Sequence, residues 1–319
     1  MKVLRWGLLL AMGAQAQYSG PVDAGWVQNP DITEASGIVA SRLDDSLLWT
    51  HNDSGGKNRI FALATNGKSR GTYYLDGCDS RDWEDIAAGP GPDPSKTYLF
   101  VGEIGDNYAA YDIKTIYRFV EPVVPANQPD YIGHVTQIDK LNFRFPDGRR
   151  DAEALMVDPW TGDYYVVSKR ESKVMVYLGR YPQPLNRVDT LVKVATLDLT
   201  YVTAADISPS GEGILIEEYG KLHHWTRNRS ESLVSALSRL PTTVAYQPEP
   251  QGEAVCWNRS GKGYYTLSEE VNTEAHLFHY FDKTLGLGRE PKFFDKPGPS
   301  QILSFPSHQG RDLAGRTFQ

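Results

Sequence analysis

Cysteine is nearly absent from this sequence: Cys78 and Cys256 are the only two in 319 residues, too few for a disulfide framework. Whether they pair is left open; Cys256, in a strand-like run, reads as a small buried apolar residue. No Cys/His cluster of zinc-ligand spacing occurs, which argues against a transition-metal centre. Basic charge is also short, with 33 Lys and Arg against 40 Asp and Glu and a net charge of −7. Phosphate backbones need a concentrated basic surface, so nucleic acid is excluded as a partner. No segment approaches the roughly eighteen consecutive apolar residues of a membrane span. Long Ala/Leu/Glu/Lys runs are missing, which argues against a helical fold. There is no G-x-S-x-G elbow and no workable Ser/His/Asp order, so serine-esterase chemistry is not expected.

What the chain does contain suits β-structure. Tyr (18), Trp (7), Gly (29) and Pro (20) are plentiful, a balance that favours short strands and turns. The length fits one large all-β fold, and 40% hydrophobic content can fill its core. The first residues read as a signal peptide over 1–16. Lys2 and Arg5 precede the apolar run Trp6 to Met12, and Ala14-Gln15-Ala16 forms a small-x-small cleavage site. A soluble, exported, monomeric protein is therefore expected, periplasmic if the source is bacterial. Three N-x-S sequons begin at Asn52, Asn228 and Asn258; they matter only in a eukaryotic secretory pathway.

A repeat defines the architecture. Glu34-Ala-Ser-Gly-Ile, Glu84-Asp-Ile-Ala, Glu153-Ala-Leu-Met-Val and Glu253-Ala-Val-Cys-Trp share a carboxylate followed by small and apolar residues. Thr203-Ala-Ala-Asp-Ile has the same context without the glutamate. The steps are 50, 69, 50 and 50 residues, the long one explained by a Pro-rich insertion from Glu121 to Asp130. A unit of that size with four strand-like runs is a propeller blade. The third unit shows them at Ala154–Val157, Tyr164–Ser168, Val174–Leu178 and Val192–Leu197. The fifth unit lacks its fourth strand, and Ala24–Val27 stands where that strand should begin. The prediction is an all-β, five-bladed β-propeller over 17–295, closed by its N-terminal strand, with a flexible tail over 296–319. One helix is expected at Glu231–Leu240, capped by Ser230.

Inner strands of a propeller line its axis, so Glu34, Glu84, Glu153 and Glu253 should converge at the channel mouth, with Thr203 as the uncharged fifth member. Clustered carboxylates repel and shift one another's pKa values unless a proton, a cation or water intervenes. Calcium is the expected partner because it accepts six to eight oxygens in tolerant geometry. It should sit off-centre, away from blade four. The competing structural reading is that these glutamates accept backbone hydrogen bonds and fix the ring. A second tier follows at the ends of the second strands: Asp53 and Glu103 nineteen residues on, Lys169, Tyr219 and Glu269 sixteen on. Lys169, Glu269, Glu103 and Asp53 are the catalytic candidates if chemistry occurs. Lys169 as simple counter-charge is the more ordinary role. Asp206, three residues into its strand, could stand in for the missing glutamate, and Asp82 and Asp151 could brace their turns.

Glu34-Ala-Ser-Gly-Ile38, Asp82-Trp-Glu-Asp-Ile86 and Asp151-Ala-Glu-Ala-Leu155 resemble the E-x-S-G-I and D-x-E-G-I pattern of the SdiA-regulated and phytase-like bacterial propellers. Asn52-Asp-Ser-Gly55 and Gly105-Asp-Asn107 look like a largely uncharacterised secreted branch of that group. The motifs are short, but they are spread over most of the mature chain. The resemblance implies a propeller with calcium in or near its axis. A looser similarity, carried by Glu253-Ala-Val-Cys-Trp257, is to calcium-activated nucleotidases. The phosphate-binding basic residues such enzymes need are reduced here to Lys169 and Arg170. Two functions are therefore weighed: a calcium-binding module recognising an extracellular glycan or protein, and a calcium-dependent hydrolase or lyase acting on phosphate esters or polysaccharide.

Overall fold

The computed structural model describes residues 17–126, 128, 131–269 and 275–283. The chain divides into one unit over Met1–Gly286 and a second over Leu287–Gln319; all described residues belong to the first. The expected signal peptide and C-terminal tail lie outside them.

The first unit is a five-bladed β-propeller, each blade built on four antiparallel strands, with a short parallel fifth strand, Asp189–Thr190, added to blade two and another to blade one. The inner strands are Ala35–Ala40, Trp83–Gly89, Ala152–Val157, Val202–Ile207 and Gly252–Trp257. They stand side by side in that order, and the fifth returns to the first. Every one is buried along almost its whole length, because its two faces meet the blades on either side. Alternation explains this directly. In blade three, Ala154 and Met156 join the core layer shared with blade four. Leu155 and Val157 point the other way, into the layer shared with blade two. Five such layers, one per seam, make up the core.

Side chains also stitch neighbouring inner strands together. Ser36 Oγ donates to the Glu84 carbonyl at 2.6 Å, Asp85 Oδ2 accepts from Leu155 N at 2.8 Å, and Asp206 Oδ2 accepts from Trp257 N at 2.8 Å. Asp206 is thereby a seam residue and no substitute for the missing glutamate.

The predicted closure is present. Val22–Trp26 pairs antiparallel with His276–Phe281 as the outer strand of blade five. The long step is more than an insertion. The chain leaves blade two after Lys114–Val120 and crosses to blade one. There Ile132–Val135 adds a fifth strand, parallel to Ser69–Leu75, before the chain returns as Asp139–Arg144. The helix is shorter than expected, Leu233–Leu237, and its cap is Ser232 rather than Ser230. Burial decides the start: Leu233, Ala236 and Leu237 fill the layer between blades three and four. Ser232, just before them, is placed to accept from Ser235 N. Cys78 and Cys256 are both free and buried in different layers.

Candidate functional site

The register of each blade places the site. In blades two to five, the pairing of inner and second strands slips by one residue at Glu84, Glu153, Thr203 and Glu253. Such a bulge bends the strand and re-aims the extra residue, here toward the channel mouth. In blade one the slip falls at Gly37 instead. Gly37 has φ +73°, and a Cβ there would meet the Asp85 backbone at 2.8 Å, so only glycine fits. The structural counterpart of the other ring positions in blade one is thus Gly37, which carries no side chain. Glu34 lies three residues earlier and is exposed. Its carbonyl accepts from Asp53 N at 2.8 Å, and it is Asp53 that enters the cluster.

Three overlapping carboxylate triads result: Asp53, Glu253 and Glu269; Asp53, Asp82 and Glu84; and Glu84, Asp151 and Glu153. In each triad, one oxygen per residue lies within 4.8 Å of the others. Glu84, Glu153 and Glu253 are almost wholly buried. On the blade-four side, Lys169 closes the arc. Its Nζ lies 2.8 Å from Glu153 Oε2 and 3.9 Å from Glu253 Oε1, and 5.4 Å from the centre of the Tyr219 ring. Tyr219 Oη donates to Glu253 Oε1 at 2.8 Å. Thr203 stays buried at the bulge of its blade. Lys169 and Tyr219 therefore occupy the sector where the ring glutamate is missing.

The second tier separates once register is used. Opposite inner-strand partners show that Asn52, Ile104, Lys169, Tyr219 and Glu269 are equivalent, each one residue beyond a bulge-flanking pair. Glu103 is one residue short of that line, and one residue on a strand reverses the side-chain face. Its oxygens accept from Arg81 N at 2.9 Å and Asp82 N at 3.0 Å, and Arg81 NH2 lies 3.2 Å away. Glu103 braces the turn that presents Asp82. Asp151 has a similar load, accepting from Asp106 N at 2.8 Å and Arg170 Nε at 2.6 Å.

Electrostatics follow from burial and crowding. Burial, then the charges of Asp82 and Glu253, push Asp53 up to about 7. Burial, then Glu253, push Glu269 up to about 8. Burial also raises Glu153, to about 8 against the pull of Lys169, and carries Glu84 well above the ordinary range, with Glu153 as the next cause. Burial opposes charge on Lys169, but Glu153 and Glu253 outweigh it and hold the ammonium above its usual range. Among the described residues no cationic side chain lies within 4.0 Å of the carboxylates of Asp53, Asp82, Glu84 or Glu269, and the buried Asp53 Oδ1 lacks a well-formed hydrogen bond. Oxygen-only donors of this kind suit a hard cation and offer nothing to a soft one.

No family model matches this chain, and no curated protein matches it either. Among solved structures, a nidogen/laminin complex contains a chain that is 14% identical, with a TM-score of 0.45 and 76% of each chain covered.

Proposed function

We propose that this propeller is an exported recognition or scaffold module whose channel mouth holds a calcium ion. The observation that carries the reading is Asp53: it is shared by two carboxylate triads, its buried Oδ1 lacks a well-formed hydrogen bond, and no cationic side chain stands within 4.0 Å of it among the described residues. Lys169 and Arg170 neutralise the blade-three side through Glu153 and Asp151, so the uncompensated charge lies toward blades five, one and two. A divalent ion there would relieve repulsion among Asp53, Asp82, Glu84, Glu253 and Glu269. Exposed Tyr219, which bonds Glu253, its ring neighbour Tyr201, and Tyr111 beneath Arg81 supply rigid contact area for a glycan or protein partner.

The hydrolase reading needs Lys169 or a carboxylate free to move a proton. Lys169 is held charged between two glutamates, the opposite of a base activated by a lowered pKa, which leaves Asp53 and Glu269, raised to about 7 and about 8, as the proton-moving groups of that second reading. The test is thermal unfolding of the full chain with calcium and with EDTA, repeated for Glu84→Gln/Asp53→Asn. Calcium should raise the melting temperature of the wild type, and the double variant should lose most of that gain. A wild-type curve that EDTA and calcium leave unchanged would sink the metal reading.

A further inference from the structure

The seam between blades four and five carries a second group of oxygens, behind the mouth. Glu217, on the second strand of blade four (Gly213–Glu218), is fully buried. Neither of its carboxylate oxygens has a well-formed hydrogen bond. The same is true of both oxygens of Glu249, of Tyr246 Oη and of Thr266 Oγ1. The Tyr246 hydroxyl lies within weak hydrogen-bonding reach of both glutamates, and the Thr266 hydroxyl within such reach of Glu249. Gly252 makes the room: a Cβ there would fall 2.1 Å from Tyr246 Oη and 2.8 Å from Glu217 Oε1. A bare stretch of backbone thus leaves a cradle into which the tyrosine and the glutamate both turn.

Two carboxylates in a dry seam cost several kcal/mol each unless their charge is met, and among the described residues no Lys, Arg or His pairs with either. The donor set is two carboxylates and two hydroxyls, six oxygens at most. That reaches the lower end of what calcium takes, and the two negative charges equal those of one divalent ion. Magnesium would have to keep several waters, for which a fully buried Glu217 leaves little room, and soft or imidazole-seeking metals find no ligand in the set. Glu249 also lines an open cavity of about 260 Å³ with Gln247, Pro248, Pro250 and His276.

We infer that Glu217, Glu249, Tyr246 and Thr266 form a second, buried calcium site that clamps blade four to blade five. It does not rest on the mouth reading, although Glu253 and Glu269 bring the two places close. The experiment is calcium titration of the full chain by calorimetry. It compares wild type, Glu217→Gln, and Glu84→Gln/Asp53→Asn as a mouth variant. Glu217→Gln should remove one equivalent of calcium, or weaken that site at least tenfold, while the mouth variant keeps it. If the mouth does not bind, wild type shows one equivalent that only Glu217→Gln abolishes. Binding by Glu217→Gln identical to wild type overturns the proposal and leaves protons as what holds the pair. Should Glu217→Gln fail to fold, Tyr246→Phe removes one ligand oxygen at constant shape. It should weaken the same equivalent, and unchanged binding would again overturn the proposal.

Discussion

At the scale of single residues, the mouth behaves as a proton store when no metal is present. Burial lifts Asp53 to about 7 and Glu153 and Glu269 to about 8. A carboxyl raised in the folded state binds protons that the unfolded chain has already lost, so folding stability falls as pH rises through the folded pKa. Buried His51 and His224 and half-buried His279 are pushed down to about 4, mainly by desolvation. They work in the opposite sense, but only below about pH 6.5, where the unfolded histidines begin to charge. In EDTA, urea midpoints should therefore decline from pH 6.5 to 8, and calcium should flatten the decline by replacing protons. A flat or rising profile in EDTA would contradict the crowding described here. The individual glutamates of blades two, three and five are legible in sequence, because the repeat places them at one height. The substitution of Asp53 for Glu34 is not, since it depends on a one-residue shift of a bulge from a glutamate to Gly37.

At the scale of elements, each blade is held to the next by its core layer and by a few polar ties. The seam between blades three and four has a buried, two-bond ion pair. Arg227 meets Asp158 through two bonds of 2.8 and 2.7 Å, both side chains buried, with the guanidinium 3.8 Å from the centre of the Trp160 ring. Removing one partner strands the other's charge, so Asp158→Ala should cost about 3–5 kcal/mol. Arg227→Met/Asp158→Leu, which removes both charges, should recover much of that loss in urea denaturation. If the single variant costs no more than the double, the pair is not the tie proposed for this seam. Neither residue stood out in the sequence, because they belong to separate blades and only the closed ring brings them together.

At the scale of the whole unit, closure is the point of vulnerability. The last blade is completed by the first strand, so Val22–Trp26 joins the two ends of the ring against His276–Phe281. A chain shortened to begin at Gln28 should expose the edge of blade five, a ready template for intermolecular pairing. Size-exclusion chromatography should show association or aggregation, and the melting transition should broaden and fall. A monomeric, cooperatively melting truncation would mean that the closing strand is dispensable.

Periodicity alone determined most of the architecture: a 50-residue recurrence of buried inner strands, four strands to a unit, and an unmatched first strand leave little choice but a closed five-bladed ring. Alternation along each strand is a local property, so it survives being read without coordinates. The membership of the mouth was decided by tertiary structure. Which carboxylate enters depends on where each strand slips past its partner, and whether it stays charged depends on neighbours from other blades. Lys169 illustrates both: the sequence offers a lone basic residue among acids, and only the closed ring sets it between Glu153 and Glu253 as their counter-charge.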